Sequence, residues 1–171
     1  MRKWTIPEIN SLSRDEFVGI AGPVFEHSPW IAELAWRQRP FMNLKHLHRA
    51  LCETVETADG EKQLALIRAH PDLAGRLALA GKLTQESANE QSRAGLDQLS
   101  PEELGRLQRS NAVYKGRFDF PFIICARLND KQSILAAFER RLHNSREQEL
   151  KTALEEIFKI AKLRLQDLVA H

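Results

Sequence analysis

The chain repeats one local pattern that constrains its backbone, a serine followed three positions later by glutamate or glutamine. The pattern occurs at Ser13 with Glu16, at Ser100 with Glu103 and at Ser145 with Gln148. In such a capping box the serine hydroxyl accepts a hydrogen bond from the amide three residues on, and the side chain there accepts one from the serine amide. Both amides would otherwise lack partners at the start of a helix. The pattern therefore predicts three helix starts.

Helical signals cover most of the remaining chain. Ser28-Pro29 predicts another helix start, because proline needs no amide partner in the first turn. A further helix is predicted by four apolar residues that share one helical face, Leu44, Leu47, Leu51 and Val55. Asp59-Gly60 then breaks the chain before a helix over residues 61–69.

Two stretches resist the helical conformation. Pro71 excludes the α region for His70, so the preceding helix must stop at residue 69 or 70. Residues 117–126 are rich in phenylalanine and isoleucine around Pro121, which predicts an extended apolar segment. We therefore predict an all-α fold: a single compact bundle of about seven to nine helices, with that one extended segment near 117–126.

The composition indicates one domain and restricts the partners. The 171 residues are 43% hydrophobic and 28% charged, enough for one core, so we expect residues 1–171 to form a single domain. The formal charge is +2 with scattered bases, which argues against nucleic-acid binding, and no apolar run predicts a membrane span or a signal peptide. Cys52 and Cys125 lack metal-ligand spacing, so we expect buried free thiols and a cytoplasmic location.

His70 is the first candidate functional residue. It lies before Pro71 at the end of a predicted helix, where its imidazole would project from the helix terminus. The helix C-terminus favours the protonated imidazole and keeps the side chain in the range where histidine exchanges protons near neutrality. The alternative is that the imidazole only caps the last helical carbonyls, and the residues alone do not choose between the two.

The polar helix predicted over residues 84–95 is the second candidate. Four residues at spacing i, i+3, i+4 and i+7 share one of its faces: Ser87, Glu90, Gln91 and Ala94. Because the helix has little apolar material, it is either a solvated surface helix or one that turns a polar face inward to line a site.

Arg164 lies within an apolar stripe of the last predicted helix. The other members of the stripe are Leu150, Leu154, Ile157, Ala161 and Leu168. A buried guanidinium needs an anion to accept its hydrogen bonds. That anion is either an internal carboxylate or the carboxylate of a ligand, and the sequence leaves both open.

Motifs for metal, nucleotide and acyl-enzyme chemistry are missing. Gly75 and Gly81 are separated by five residues where a phosphate-binding loop has four, and Leu83 replaces its magnesium-binding hydroxyl. His46 and His48 diverge on a helix and cannot share a metal ion. The residues therefore give no support to metal, nucleotide or acyl-enzyme chemistry.

The candidate residues, in their order and spacing, resemble the 2-oxo-4-hydroxy-4-carboxy-5-ureidoimidazoline (OHCU) decarboxylase family. The motifs are His70-Pro71-Asp72-Leu73-Ala74-Gly75, Leu83-Thr84, Ser87, Glu90-Gln91, Ala94-Gly95-Leu96 and Phe118 with Phe120-Pro121-Phe122-Ile123. The similarity extends from residues 17–19 through 25–30 to 160–165, nearly the whole chain. The resemblance implies an all-helical fold, the absence of cofactors and a homodimer.

The resemblance also implies a role for each site residue. His70 corresponds to the catalytic histidine and Glu90 to its acidic partner. The positions that correspond to substrate-binding residues are Pro71, Ser87, Gln91, Phe122, Ile124 and Arg164, with main-chain contacts around Phe122 and Ile124.

The implied reaction converts OHCU to (S)-allantoin and CO2, the third step of urate catabolism. The substrate carbon that carries the carboxylate also carries a hydroxyl and adjoins a C=N bond, so the substrate supplies its own electron sink. We expect His70 to transfer a proton at the hydroxyl and Glu90 to bind ring or ureido N–H groups while orienting His70. Arg164 would bind a carboxylate or carbonyl.

Two other functions compete with this one. In a helical interaction module, Arg164 and Glu90 would form a structural ion pair and the basic residues between 37 and 49 would contact a protein partner. The chain could also be a cofactor-free lyase or hydrolase that acts on another ureido compound. The decarboxylase requires His70, Glu90 and Arg164 to converge on one cleft.

Overall fold

A computed structural model describes residues 2–170, apart from the side chains of Arg76 and Leu77, and it is all-α as predicted. Those residues form nine α-helices of six or more residues and one single-turn helix, α6. The helices are α1 (Ile6–Ser11), α2 (Arg14–Ala21), α3 (Trp30–Ala35), α4 (Leu44–Glu56), α5 (Gly60–Ala69), α6 (Arg76–Leu79), α7 (Gln85–Arg93), α8 (Pro101–Phe118), α9 (Lys131–Arg141) and α10 (Arg146–Leu168). Three 3-10 helices lie between them, at Gly22–Val24, Trp36–Gln38 and Ala126–Leu128.

The three predicted capping boxes are present at the starts of α2, α8 and α10. At α10 the Ser145 amide donates to Gln148 Oε1 at 2.8 Å, and the Gln148 amide donates to Ser145 Oγ at 3.2 Å. A fourth capping box, which we did not predict, joins Thr5 and Glu8 at the start of α1. The reciprocal hydrogen bonds explain why these helices begin where they do.

The chain divides into two compact units. The first comprises the residues up to 69 and those from 158 onward, and so contains α1–α5 and the C-terminal part of α10. Within it, α3 packs against α2 and α4, and α4 packs against α5. Phe17 and Phe41 stack in its core with ring centroids 5.9 Å apart.

The second unit comprises residues 70–157, which include α6–α9 and the N-terminal part of α10. Within it, α8 packs against α9, and α7 packs against the 3-10 helix Ala126–Leu128. Its core contains a cluster of buried aromatic side chains: Tyr114, Phe118, Phe120, Phe122 and Phe138. Whether the two units act as the single domain expected from the sequence stays a prediction.

Proline shapes the two non-helical stretches of the second unit. α5 ends at Ala69, immediately before His70-Pro71, as predicted. α8 continues to Phe118, so the first two residues of the stretch predicted to be extended are helical. Residues 121–125 form no helix and lead into the 3-10 helix Ala126–Leu128. We refer to residues 121–125 as the apolar segment.

Candidate active site

The loop that begins at His70 is fastened to two helices. His70 itself is 9% exposed. The Ala74 amide donates a hydrogen bond to Gln91 Oε1 of α7 at 2.8 Å, and Asn111 Nδ2 of α8 donates to the carbonyl of Leu73 at 2.9 Å. Because both bonds are buried, they hold the main chain that follows His70 in one position.

The same loop makes a close backbone turn at Gly75. A Cβ atom at Gly75 would lie 2.6 Å from the Cβ of Asp72, closer than side chains tolerate. Asp72 Oδ2 in turn accepts a hydrogen bond from Lys115 Nζ of α8 at 3.1 Å. Ala74 adopts a left-handed conformation with φ of 47°, which is uncommon for a residue with a side chain. The turn therefore requires glycine at residue 75.

The polar face of α7 points inward. Ser87, Glu90 and Gln91 are all more than nine-tenths buried, as is Ala94 beyond the end of the helix. Thr84 caps the helix by accepting a hydrogen bond from the Ser87 amide at 3.3 Å. Of the two alternatives that the sequence left open, the buried polar face is the one that the structure contains.

The apolar segment lies beside α7. Burial raises the pKa of the Cys125 thiol to about 11, with further contributions from the negative charges of Glu156 and Glu90. α7 packs against the 3-10 helix Ala126–Leu128, which directly follows the apolar segment. This packing brings the apolar segment close to α7.

The Phe122 ring packs against protein. The residue is 1% exposed, and its ring stacks on Phe138 with centroids 3.7 Å apart. The guanidinium carbon of Arg141 lies 4.2 Å from the ring centroid. The main-chain contacts with a ligand around Phe122 and Ile124 stay predictions.

The second unit thus contains seven of the eight predicted site residues: His70, Pro71, Ser87, Glu90, Gln91, Phe122 and Ile124. The Ala74 hydrogen bond links the His70 loop to α7, and α7 packs against the 3-10 helix that follows the apolar segment. The catalytic and substrate-binding roles of these residues stay predictions.

Arg164 belongs to the first unit, on the C-terminal part of α10. It is 7% exposed, and its Nη1 donates to Glu26 Oε2 at 3.1 Å and to the carbonyl of Pro23 at 3.3 Å. Glu26 is itself 3% exposed. The internal-carboxylate alternative therefore has a specific partner, and the substrate-binding role of Arg164 stays a prediction.

Several buried charged residues were not predicted from the sequence, and two of them lie on α10. Leu150 and Leu154 of the predicted stripe are only half-buried, whereas Glu149 and Glu156 are buried. A stripe that starts one position earlier, at Glu149, would have found them and still includes Arg164. Its members are Glu149, Ala153, Glu156, Ile160 and Arg164, at steps of four, three, four and four. Glu26 and Arg141 are also buried and were not predicted as charged core residues.

Within residues 2–170, no three His, Cys, Asp or Glu side chains are grouped closely enough to hold a metal ion.

The sequence comparisons agree with one another. A family model described as OHCU decarboxylase matches residues 10–166. A 2-oxo-4-hydroxy-4-carboxy-5-ureidoimidazoline decarboxylase of Amia calva is 45% identical over 162 residues, which cover 95% of this chain and 93% of that protein. The Haloferax volcanii protein of the same name is 42% identical and covers 98% of this chain and 97% of its own length. The Mus musculus protein is 43% identical, with coverage of 95% and 91%.

Solved structures have the same fold. A crystal structure of (S)-allantoin synthase superposes with a TM-score of 0.79 at 28% identity, covering 97% of this chain and 54% of that chain. This chain therefore spans about half the length of that protein. A crystal structure of OHCU decarboxylase in the presence of (S)-allantoin gives a TM-score of 0.65 at 24% identity, which shows the fold. The extent of the family match and the identity to full-length relatives show that the chain belongs to the OHCU decarboxylase family.

Proposed function

We propose that the chain catalyses the cofactor-independent decarboxylation of OHCU to (S)-allantoin and CO2. Family membership over residues 10–166 is the observation that carries this proposal. The buried polar face of α7 beside the His70 loop gives further support, because burial of Ser87, Glu90 and Gln91 has no benefit for an ordinary surface helix.

The substrate needs little from the enzyme beyond orientation and proton transfer. When the carboxylate leaves as CO2, its bonding electrons form a C=C bond and the electrons of the neighbouring C=N bond move onto the ring nitrogen, which takes up a proton from solvent. The resulting enol becomes allantoin when the hydroxyl loses its proton and the ureido-bearing carbon gains one. Holding the carboxylate perpendicular to the ring aligns the breaking bond with the C=N π system.

Each site residue has a proposed task in that sequence. His70, poised at a helix end, removes the hydroxyl proton, and Glu90 binds ring or ureido N–H groups and orients His70. Ser87 and Gln91 lie on the same buried face of α7 as Glu90 and would bind the ring. Because Gln91 Oε1 accepts the Ala74 amide, its side-chain NH2 is the group that would donate to a ligand.

Arg164 would bind the carboxylate or a carbonyl of the substrate. The Nη1 contacts to Glu26 and Pro23 would then serve to orient the guanidinium. A guanidinium has five N–H donors, so binding Glu26 is compatible with binding a second anion.

The test is to add the purified protein to freshly generated OHCU and follow circular dichroism. The uncatalysed reaction passes through a planar enol that is protonated on either face, so it yields racemic allantoin without a signal. We expect the protein to accelerate OHCU loss, release one CO2 per allantoin and produce the signal of (S)-allantoin. Racemic product at the rate of the buffer control would contradict the proposed activity.

The same experiment separates the competing functions. An interaction module would leave the rate and the optical signal unchanged. A hydrolase or lyase acting on another ureido compound would either ignore OHCU or consume it without equal amounts of CO2 and allantoin. The stoichiometry of CO2 to allantoin therefore distinguishes the decarboxylase from both.

Three further features belong to this proposal. The match over residues 10–166 includes parts of both compact units, which supports one functional domain. Within residues 2–170 no helix is both long enough and apolar enough to cross a membrane.

A cytoplasmic location is expected from the sequence, and a homodimer is expected from the resemblance. Light scattering on the purified protein tests the dimer, for which a monomer mass would be the contradicting result.

A further inference from the structure

Two buried charged side chains, one on α9 and one on α10, form hydrogen bonds with the main chain of the apolar segment. Arg141 Nη1 at the end of α9 donates to the carbonyl of Ile123 at 2.6 Å. Glu156 Oε2 of α10 accepts a hydrogen bond from the Cys125 amide at 2.8 Å. Both side chains are more than nine-tenths buried, so each bond is protected from water. Each of the two peptide groups on either side of Ile124 therefore has one polar atom hydrogen-bonded to a charged side chain, the Ile123 carbonyl to Arg141 and the Cys125 amide to Glu156.

Arg141 is itself held in place by a buried network. Its Nε donates to Glu149 Oε2 at 3.0 Å, and Glu149 is 0% exposed. Glu149 also accepts hydrogen bonds from Asn144 Nδ2, at 2.8 Å, and from the hydroxyl of Tyr114. Burial, followed by the hydrogen bond to Glu149, raises the pKa of Tyr114 and keeps its hydroxyl protonated as a donor. The guanidinium therefore has little freedom to leave Ile123.

These two anchors determine where the remaining polar groups of Ile124 point. In a trans peptide the carbonyl and the N–H point in opposite directions. Since Ile123 O faces Arg141, the Ile124 N–H points away from Arg141; since the Cys125 N–H faces Glu156, the Ile124 carbonyl points away from Glu156. The N–H donor of Ile124 therefore points away from Arg141, and its carbonyl acceptor points away from Glu156.

Within the described residues 2–170, neither the N–H nor the carbonyl of Ile124 has a hydrogen-bond partner. Ile124 is 9% exposed, and buried main-chain groups almost always have partners. A ligand that brings one acceptor and one donor would satisfy both groups. The –CO–NH– edge of a five-membered ureide ring has that pair.

We infer that Arg141 and Glu156 are positioning residues, which orient the main chain of Ile124 toward a ring –CO–NH– group of the substrate. The inference rests on the proposed function for the identity of the ring compound. It adds that the charged groups need not touch the substrate, because they act through the Ile123 carbonyl and the Cys125 amide. Loss of either anchor should weaken ring binding more than it slows the chemical step.

The test replaces Glu156 with leucine and with glutamine. Glu156→Leu removes the acceptor for the Cys125 amide, whereas Glu156→Gln keeps an amide oxygen at the same position. We expect Glu156→Leu to raise the KM for OHCU and the Kd for (S)-allantoin by about tenfold with little change in kcat. Glu156→Gln should restore both constants to near the wild-type values. Glu155→Gln, an exposed neighbour on α10, is the matched control.

A second variant covers the case in which Glu156→Leu does not fold. Arg141→Lys keeps a positive charge for Glu149, but a single ammonium cannot reproduce the separate Nε and Nη1 contacts. We expect it to raise the same two constants. Binding is measured by calorimetry with (S)-allantoin, so it does not depend on turnover.

The outcomes distinguish the inference from the proposed function. A folded Glu156→Leu or Arg141→Lys protein with wild-type KM and Kd, whatever its melting temperature, would overturn the inference. Equal defects in Glu156→Leu and Glu156→Gln would also overturn it, because the charge rather than the acceptor would then matter. A wild-type protein that binds (S)-allantoin but does not convert OHCU would refute the proposed function alone.

Discussion

Replacing Arg164 with methionine should strongly destabilise the protein, because it removes the positive charge of a buried ion pair with Glu26. The paired atoms are 3.1 Å apart, and the two side chains are 6% and 2% exposed. Opposite charges at about 4 Å attract by about 4 kcal/mol at an effective dielectric constant of about 20. We therefore expect Arg164→Met to lower the free energy of unfolding by about 3 to 5 kcal/mol. Urea denaturation followed by circular dichroism measures it.

The matched control is Arg106→Met, which breaks an ion pair of similar length on the surface. Arg106 Nη2 lies 2.6 Å from Glu139 Oε1, but the side chains are 54% and 69% exposed. Its loss should cost less than about 1 kcal/mol. A double variant, Arg164→Met with Glu26→Leu, should recover part of the stability because neither charge of this buried pair remains. A cost for Arg164→Met no larger than that of Arg106→Met would refute this reasoning.

The conservative variant Arg164→Lys tests whether the same guanidinium also binds substrate. Lysine keeps the charge for Glu26 but loses the fork of N–H donors that a carboxylate or carbonyl would use. We expect the folded variant to gain less thermal stabilisation from (S)-allantoin than the wild type gains. Equal stabilisation of the two proteins would exclude a strong contact between Arg164 and the ring compound.

Three further predictions concern two substitutions and the reactivity of the cysteines. His70→Ala should slow OHCU decarboxylation by roughly 10²- to 10⁴-fold without a change in melting temperature, and near-wild-type turnover would contradict its role in proton transfer. Glu90→Gln should lower kcat while thermal unfolding is unchanged; a lower melting temperature at full activity would instead identify a structural carboxylate. Burial raises the thiol pKa of Cys52 to about 12 and that of Cys125 to about 11. At pH 8 both thiols should therefore resist a disulfide reagent until guanidinium unfolds the protein, whereas rapid labelling of the native protein would contradict that burial.

The helix boundaries could be predicted because their signals are local. The capping boxes at Ser13, Ser100 and Ser145 join residues three positions apart, and the steric effect of Pro71 acts on its immediate neighbour. The end of α8 was harder to place. It ends at Phe118 with Asp119 in a left-handed conformation, inside the stretch that the apolar pattern predicted to be extended.

The residues of the candidate site could be named from the sequence, but whether they are buried or exposed could not be predicted. The spacing of Ser87, Glu90 and Gln91 places them on one face of α7 in any helix, yet spacing does not tell whether that face meets solvent or protein. The structure buries it, because α7 packs against Ala126–Leu128. On α10 the periodicity was ambiguous by one position, and Glu156 was therefore missed.

The sequence by itself determined the all-α class and the starts of the capped helices, since these depend on neighbours in the chain. The candidate site residues were named through the resemblance of their motifs to a family. Tertiary structure alone decided what the buried charges contact. Arg164 contacts Glu26 at a separation of 138 in residue number, and Cys125 contacts Glu156 at a separation of 31. Hydrogen bonds of that kind depend on where packed helices bring distant residues together, and a periodic pattern within one helix carries no information about its partner.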